Sequence, residues 1–102
     1  MRGCKLADGL IVKEPFARRL VSGNKKTEFR SKPLPKNKTN VKIYILNSGN
    51  VKGYVIFSGA TYDEDNEIYK YHISESGKFS PEPRYKHKFG CVIWINNVEL
   101  LN

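Results

Sequence analysis

Two alternating apolar runs around one turn sequence constrain this chain more than any other feature. In residues 41–46, Val41, Ile43 and Ile45 recur at every second position; in residues 51–59, Val51, Gly53, Val55 and Phe57 do the same. A period of two places each set on one face of an extended strand. Between the runs stands Asn47-Ser48-Gly49-Asn50, all turn-forming residues, so the segment reads as a β-hairpin. Both faces of these strands carry apolar residues, which calls for cover on both sides. The expected fold class is α+β: a small, mostly antiparallel β-barrel packed by one or two short helices.

The flanking segments fill in that outline. Leu10-Ile11-Val12 reads as a first strand. Pro15 suits the first position of a helix, where its missing N–H is not needed. Phe16, Leu20 and Val21 then share one apolar face while Arg18 and Arg19 point away from it, and Gly23 can end the helix in a left-handed conformation. Residues 27–31 alternate as a second strand, with Thr27 and Phe29 on one side and Glu28 and Arg30 on the other. Residues 31–40 are polar and basic and contain Pro33 and Pro35, which excludes a central strand. Further on, Asp63 or Asp65 is expected to cap a short helix holding Ile68 and Tyr69. Residues 74–88, with Pro81 and Pro83, read as a long polar loop, and residues 90–101 as a strand bent at Asn96-Asn97.

The 102 residues suit one domain, residues 1–102, with a single core and no internal repeat. The net charge of +8 is unevenly spread. Residues 1–42 hold twelve Lys and Arg against three acids, a net +9; residues 43–102 hold six against seven, a net −1. A positive field concentrated in one part of a fold favours a polyanion, most simply nucleic acid; the plainer alternative is a solubilising surface. Cys4 and Cys91 match no metal-ligand spacing and read as free thiols. His72 and His87 have no Cys or His partner at ligand spacing, so neither a metal nor another cofactor is implied. No apolar stretch reaches the ~18 residues of a membrane-spanning helix, and no signal peptide is evident. The expected compartment is the cytoplasm, with no membrane partner.

Charge converges most densely in Gly23-Asn24-Lys25-Lys26-Thr27-Glu28-Phe29-Arg30, where the expected helix turns into the second strand. The order of helix, Gly-x-Lys-x-x-Glu-x-Arg (Gly23, Lys25, Glu28, Arg30), proline-bearing loop, paired strands and a late tryptophan strand resembles the ASCH domain of the PUA-like superfamily. Arg-Ser-x-Pro at residues 30–33 and Val-Ile-Trp-Ile-Asn-Asn-Val at residues 92–98 agree with it. The resemblance covers residues 8–101. It implies a PUA-like barrel with a cleft at the motif, binding RNA or a nucleotide in a role around translation or RNA modification. Some members resemble amidohydrolases that deacylate acetylated cytidine, and ribonuclease activity has been assigned to others, so a small hydrolase is the alternative function. This chain departs from the amidohydrolase branch by carrying Glu28 where that branch has a threonine nucleophile. Hydrolysis here calls for Glu28 to activate water, and for a second carboxylate among Glu67, Glu75 and Glu82.

In chemical terms, Glu28 and Arg30 share a strand face, and a strictly extended Lys25 points to the opposite one. The three converge only if Lys25 sits on the irregular turn after Gly23. Lys25 then supplies a cationic donor, Glu28 an acceptor, and Arg30 a planar fork suited to phosphate. The plainer alternative is a Glu28–Arg30 ion pair on a solvated face with Lys25 at the surface. If the protein is an enzyme, Lys25 and Glu28 are the catalytic candidates. The nucleic-acid-binding candidates are Lys25, Lys26, Glu28, Arg30 and Lys32, with Arg18 on the helix. Lys86 and Lys88 join them from Tyr85-Lys86-His87-Lys88-Phe89, a basic and aromatic mixture suited to single strands. Lys36, Lys38 and Lys42 could contact phosphates without sequence preference. Tyr44, Tyr54 and Trp94 read as core residues.

Overall fold

The computed structural model describes residues 7–101; Cys4 lies outside them. Strand β1 (Asp8–Ile11) leads to helix α1 (Phe16–Val21), strand β2 (Thr27–Arg30) and a 3-10 turn (Lys36–Lys38). Strands β3 (Lys42–Asn47), β4 (Asn50–Asp63) and β5 (Ile68–Lys78) follow. Three short strands complete the chain: β6 (Arg84–Tyr85), β7 (Trp94–Ile95) and β8 (Leu100–Leu101). The structure is mostly β with one short α-helix. Its sheet is mixed, in the order β2-β5-β4-β3-β1-β7, with β6 joining β4 and β8 at the side. The β1–β3 pair is parallel and the other pairs are antiparallel. The path is not closed into the expected barrel, because β2 and β7 remain its two ends.

The expected hairpin is the centre of the sheet. Ser48 (φ 51°) and Gly49 (φ 83°) make its turn with two successive left-handed residues, the conformation that matches strand twist in a two-residue connection. Ile43, Ile45, Val55 and Phe57 are fully buried in one cluster with Leu10, Leu20 and Tyr71. Val51 is also buried, but in a second cluster with Leu46, Tyr85, Ile95 and Val98. A shift in register between Ile45 and Leu46 moves Val51 off the face that simple alternation gives it. The two clusters supply the cover that the doubly apolar strands require.

Helix α1 lies across β3, β4 and β5 and buries Ala17, Leu20 and Val21. Phe16, expected on that face, is 46% exposed; Ala17 takes its place, since the helix begins only at Phe16 with Pro15 as its cap. Close contact is possible because Gly53 lies beneath: a Cβ there would stand 2.8 Å from Val21 Cγ1 and 2.0 Å from the Gly77 carbonyl oxygen. Gly23 (φ 83°) ends the helix as expected.

The second half of the chain corrects the sequence reading in three places. Residues 63–73 contain no helix. Asp63 instead accepts hydrogen bonds from the Asp65 and Asn66 amides and the Asn66 side chain, closing a turn between β4 and β5. Those bonds, the Asn66 side chain's first, hold the Asp63 carboxyl below its usual range. Residues 74–78 are not loop but the far end of β5, paired with β4 from Gly53 to Ile56; Ser74, Glu75 and Lys78 are exposed there, so no apolar alternation marks the strand. Residues 90–101 form only the short β7 and β8, with Asn97 (φ 54°) at the expected bend.

The basic loop after β2 also holds a surprise. Lys38 is buried, and its Nζ donates to Asp8 Oδ2 at 2.9 Å and Asn96 Oδ1 at 2.7 Å. It stands 5.6 Å from the centre of the Trp94 ring. Asp8 Oδ1 in turn accepts the Asn97 amide. Lys38 therefore ties the loop to β1 and the β7 region and is withdrawn from any phosphate. Lys42 lies over the Tyr54 ring at 4.7 Å, and Lys36 is exposed. Among the described residues no helix is long and apolar enough to cross a membrane.

Candidate functional site

The site grows from the open side of the sheet. Beyond β2 lie the end of β1 and residues 92–93, and one side chain reaches across: Arg30 Nη2 donates to the Ile11 carbonyl oxygen at 3.3 Å. Strand parity sets the polarity of β2. Glu28 stands opposite Tyr71 and Arg30 opposite Tyr69, and Tyr71 is 1% exposed. The charged residues therefore occupy the inner face, while Phe29, opposite Lys70, is 47% exposed. This inverts the usual pattern of a half-buried strand. A carboxylate as buried as Glu28 (6% exposed) needs partners to offset its desolvation.

Those partners are Lys25 and Arg30. After Gly23 the chain turns so that the Lys25 amide donates to the Arg19 carbonyl, which keeps Lys25 out of the strand. Its side chain folds back, with Nζ 2.5 Å from the Thr27 carbonyl oxygen and 3.3 Å from Glu28 Oε1, and 4.8 Å from the Phe29 ring centre. Arg30 Nε donates to Glu28 Oε2 at 2.8 Å, and Nη2 stands equally close. The geometric condition for convergence is met. The ion pair of the plainer reading forms as well, but on an inner face and with a second cation. One carboxylate between two cations leaves a net charge of +1.

The three side chains open on a cavity of about 490 Å³. Its other walls are the end of β1, Phe16 of α1, Phe29 and Val92, so a charged floor meets an apolar rim. Beyond Arg30 lies a second cavity of about 380 Å³, lined by Lys32, Pro33, Tyr71 and Trp94 among others. Arg30 belongs to both. Burial raises the Tyr71 phenol above its ordinary range; neighbouring Arg30 pulls the other way, and Glu28 adds to the rise. The protonated hydroxyl donates to the Lys32 carbonyl at 2.7 Å and pins the loop that follows β2.

Of the residues expected at the site, Lys25, Glu28 and Arg30 come together and Lys32 lines the adjoining cavity. Lys26 is exposed and lines neither cavity. Arg18 faces a separate small pocket with Glu14 and Lys52. Lys86 and Lys88 are exposed in a loop, where the Lys86 amide donates to the Glu99 carbonyl and Lys88 Nζ to that of Asn96; neither lines either of these two cavities. The candidate second carboxylates lie elsewhere. Glu67 is in the β4–β5 turn, Glu75 accepts the Tyr54 hydroxyl at 2.6 Å, and Glu82 pairs with Lys52 at 3.2 Å. Among the described residues Glu28 is the acid that lines the main cavity, and no three His, Cys, Asp or Glu side chains are grouped to hold a metal.

Sequence reasoning missed Lys13, Phe16, Phe29 and Val92 in the first cavity and Tyr71 and Trp94 in the second. A signal for Phe29 existed: once Glu28 and Arg30 turn inward, the residue between them must turn outward. The fold and the site together define a β-rich domain with a cationic cleft walled by exposed aromatic side chains. Comparison with known proteins adds no relative, since no protein-family model and no curated protein matches the chain.

Proposed function

We propose that this protein is a binding module for RNA or a nucleotide, with the cleft at Lys25, Glu28 and Arg30 as its site. The observation that carries this reading is the inverted strand: β2 turns a carboxylate and an arginine inward and leaves a phenylalanine exposed beside them. The two cations have donors to spare. Lys25 uses two of its three N–H groups, and Arg30 uses its Nε and Nη2 edges. Their free N–H groups suit phosphate oxygens. Glu28 Oε1, which accepts from Lys25 alone, keeps a lone pair for a donor on a base edge. Exposed Phe16 and Phe29 offer stacking surfaces, and the +9 charge of residues 1–42 draws a polyanion towards this half of the chain.

Membership of the ASCH group, and with it a PUA-like barrel left open between β2 and β7, accords with this arrangement. The geometry favours binding over hydrolysis, because Glu67, Glu75 and Glu82 stand away from the cleft and leave Glu28 without a second carboxylate beside it.

The test is binding of a short single-stranded RNA across a salt series, with Lys25→Ala and Arg30→Ala alongside the parent. The log–log slope should approach about −0.7 for each phosphate neutralised. Both variants should lose affinity, and each should flatten the slope. Binding that ignores both substitutions would refute the assignment of the site.

A further inference from the structure

Arg30 belongs to two cavities at once, and a nucleotide held at Lys25 and Glu28 fills only one of them. The second cavity, about 380 Å³, is smaller than the first at about 490 Å³, yet both fall in the range of roughly 300–1,000 Å³ typical of small-ligand sites. Each has a cyclic, apolar wall: Phe16 and Phe29 in the first, Pro33 and Trp94 in the second. The partition between them is a guanidinium. Its Nε and Nη2 are taken by Glu28 and the Ile11 carbonyl; among the described residues Nη1 has no protein acceptor.

We propose that the two cavities hold two successive bases of one RNA strand, with the phosphate that links them on the free Nη1 edge of Arg30. This rests on the RNA- or nucleotide-binding reading and narrows it: the ligand class is an internal step of a single strand, not a lone nucleotide or a duplex. With Nε and Nη2 engaged, Nη1 still offers two N–H groups for charge-assisted bonds to phosphate oxygens. Lys25 on one side and Lys32 on the other extend positive charge along the strand in both directions. A duplex is excluded by the same geometry, because paired bases cannot part to enter separate cavities. Tyr71 contributes by position: its hydroxyl holds the Lys32 carbonyl, and so fixes the loop that carries Pro33.

The experiment is calorimetric titration with the four nucleoside monophosphates, the four homodinucleotides and a mixed-sequence hexanucleotide. The proteins are the parent, Lys25→Ala, Trp94→Ala and Pro33→Asp. Trp94 also packs against the main core, whereas Pro33 is exposed on a loop, so the second variant keeps the test valid if the first fails to fold. At least one homodinucleotide should bind about tenfold or more tightly than its monophosphate, as expected for one added stacking site. The hexanucleotide should bind more tightly again, through its extra registers and the flanking phosphates that meet Lys25 and Lys32. Pro33→Asp should erase the dinucleotide advantage while leaving monophosphate affinity within about twofold, and Lys25→Ala should weaken both. Equal affinity for monophosphates and dinucleotides, or indifference to both second-cavity variants, overturns the two-base proposal and leaves the binding reading standing. Failure of every probe to bind overturns both.

Discussion

Two lysine–carboxylate clusters of similar make-up sit in very different surroundings in this molecule. In one, Lys38 meets Asp8 and Asn96, and its side chain is 5% exposed. In the other, Lys25 and Arg30 meet Glu28, and the two cationic side chains are 20% and 23% exposed. Lys38 spends its charge on holding a loop to β1 and the β7 region. Lys25 and Arg30 keep unspent donors that face a cavity. The pairing itself is common to both; only the second has spare hydrogen-bonding capacity beside open space, which is what a binding site requires.

Removing the lysine of the closed cluster should have the largest effect of all. Lys38→Ala removes a buried ammonium and both of its hydrogen bonds, to Asp8 and to Asn96, and should cost about 2 kcal/mol, lowering the thermal midpoint by roughly 10 °C. The same measurement on Lys25→Ala should show a far smaller shift, since Arg30 still pairs with Glu28. Equal losses from the two variants would erase the contrast.

Next in size is the effect on binding. Arg30→Ala should weaken RNA affinity by about 10–100-fold, the worth of a charge-assisted hydrogen bond or two. Lys36→Glu, an exposed change in the same basic half that touches neither cavity, should cost less than about threefold by long-range charge alone. If Lys36→Glu matched Arg30→Ala, a diffuse field and not a site would be recognising the ligand.

The smallest effect concerns Tyr71, which links the cleft to its neighbouring loop. Burial raises its folded-state pKa, so its contribution is fully present below the ordinary phenol value and is lost as pH rises through the raised one. Tyr71→Phe should cost about 1 kcal/mol at neutral pH by leaving the Lys32 carbonyl without its donor. Denaturant midpoints should then fall less steeply with alkaline pH in the variant than in the parent. Tyr54 and Tyr85, whose pKa values are also raised, keep a residual slope.

What was legible in the sequence follows the same division between closed and open regions. The β3–β4 hairpin could be read because Ile43, Ile45, Val55 and Phe57 alternate and the Ser48-Gly49 turn demands left-handed residues. The meeting of Lys25, Glu28 and Arg30 could be framed as a geometric condition, because Gly23 forces a break before the strand. The far half of β5 could not be read, since polar side chains cover its exposed face and its order comes from pairing with β4. Lys38 was illegible for the opposite reason. Nothing local distinguishes it from Lys36, and its partners lie 30 and 58 positions away. The second cavity joins β1, β2, β5 and the β7 region, so no single stretch of sequence contains it. Arg18, Lys86 and Lys88 show the limit of composition: they are basic and exposed, but the fold carries them away from the cleft.

The Arg30 contact across the open side also bears on the order of folding events. Strands β3, β4 and β5 follow one another in sequence and pair through short connections, so their contacts can form early at small entropic cost. The wall facing β2 assembles from distant pieces: Asp8 registers with Ile43, and Gly9 with Ile95. Contacts between the two walls then belong to the last stage, and weakening them should accelerate unfolding while barely changing the rate of folding. A ligand gripping both walls would act as a brake on one direction only, extending the lifetime of the folded chain without hastening its birth.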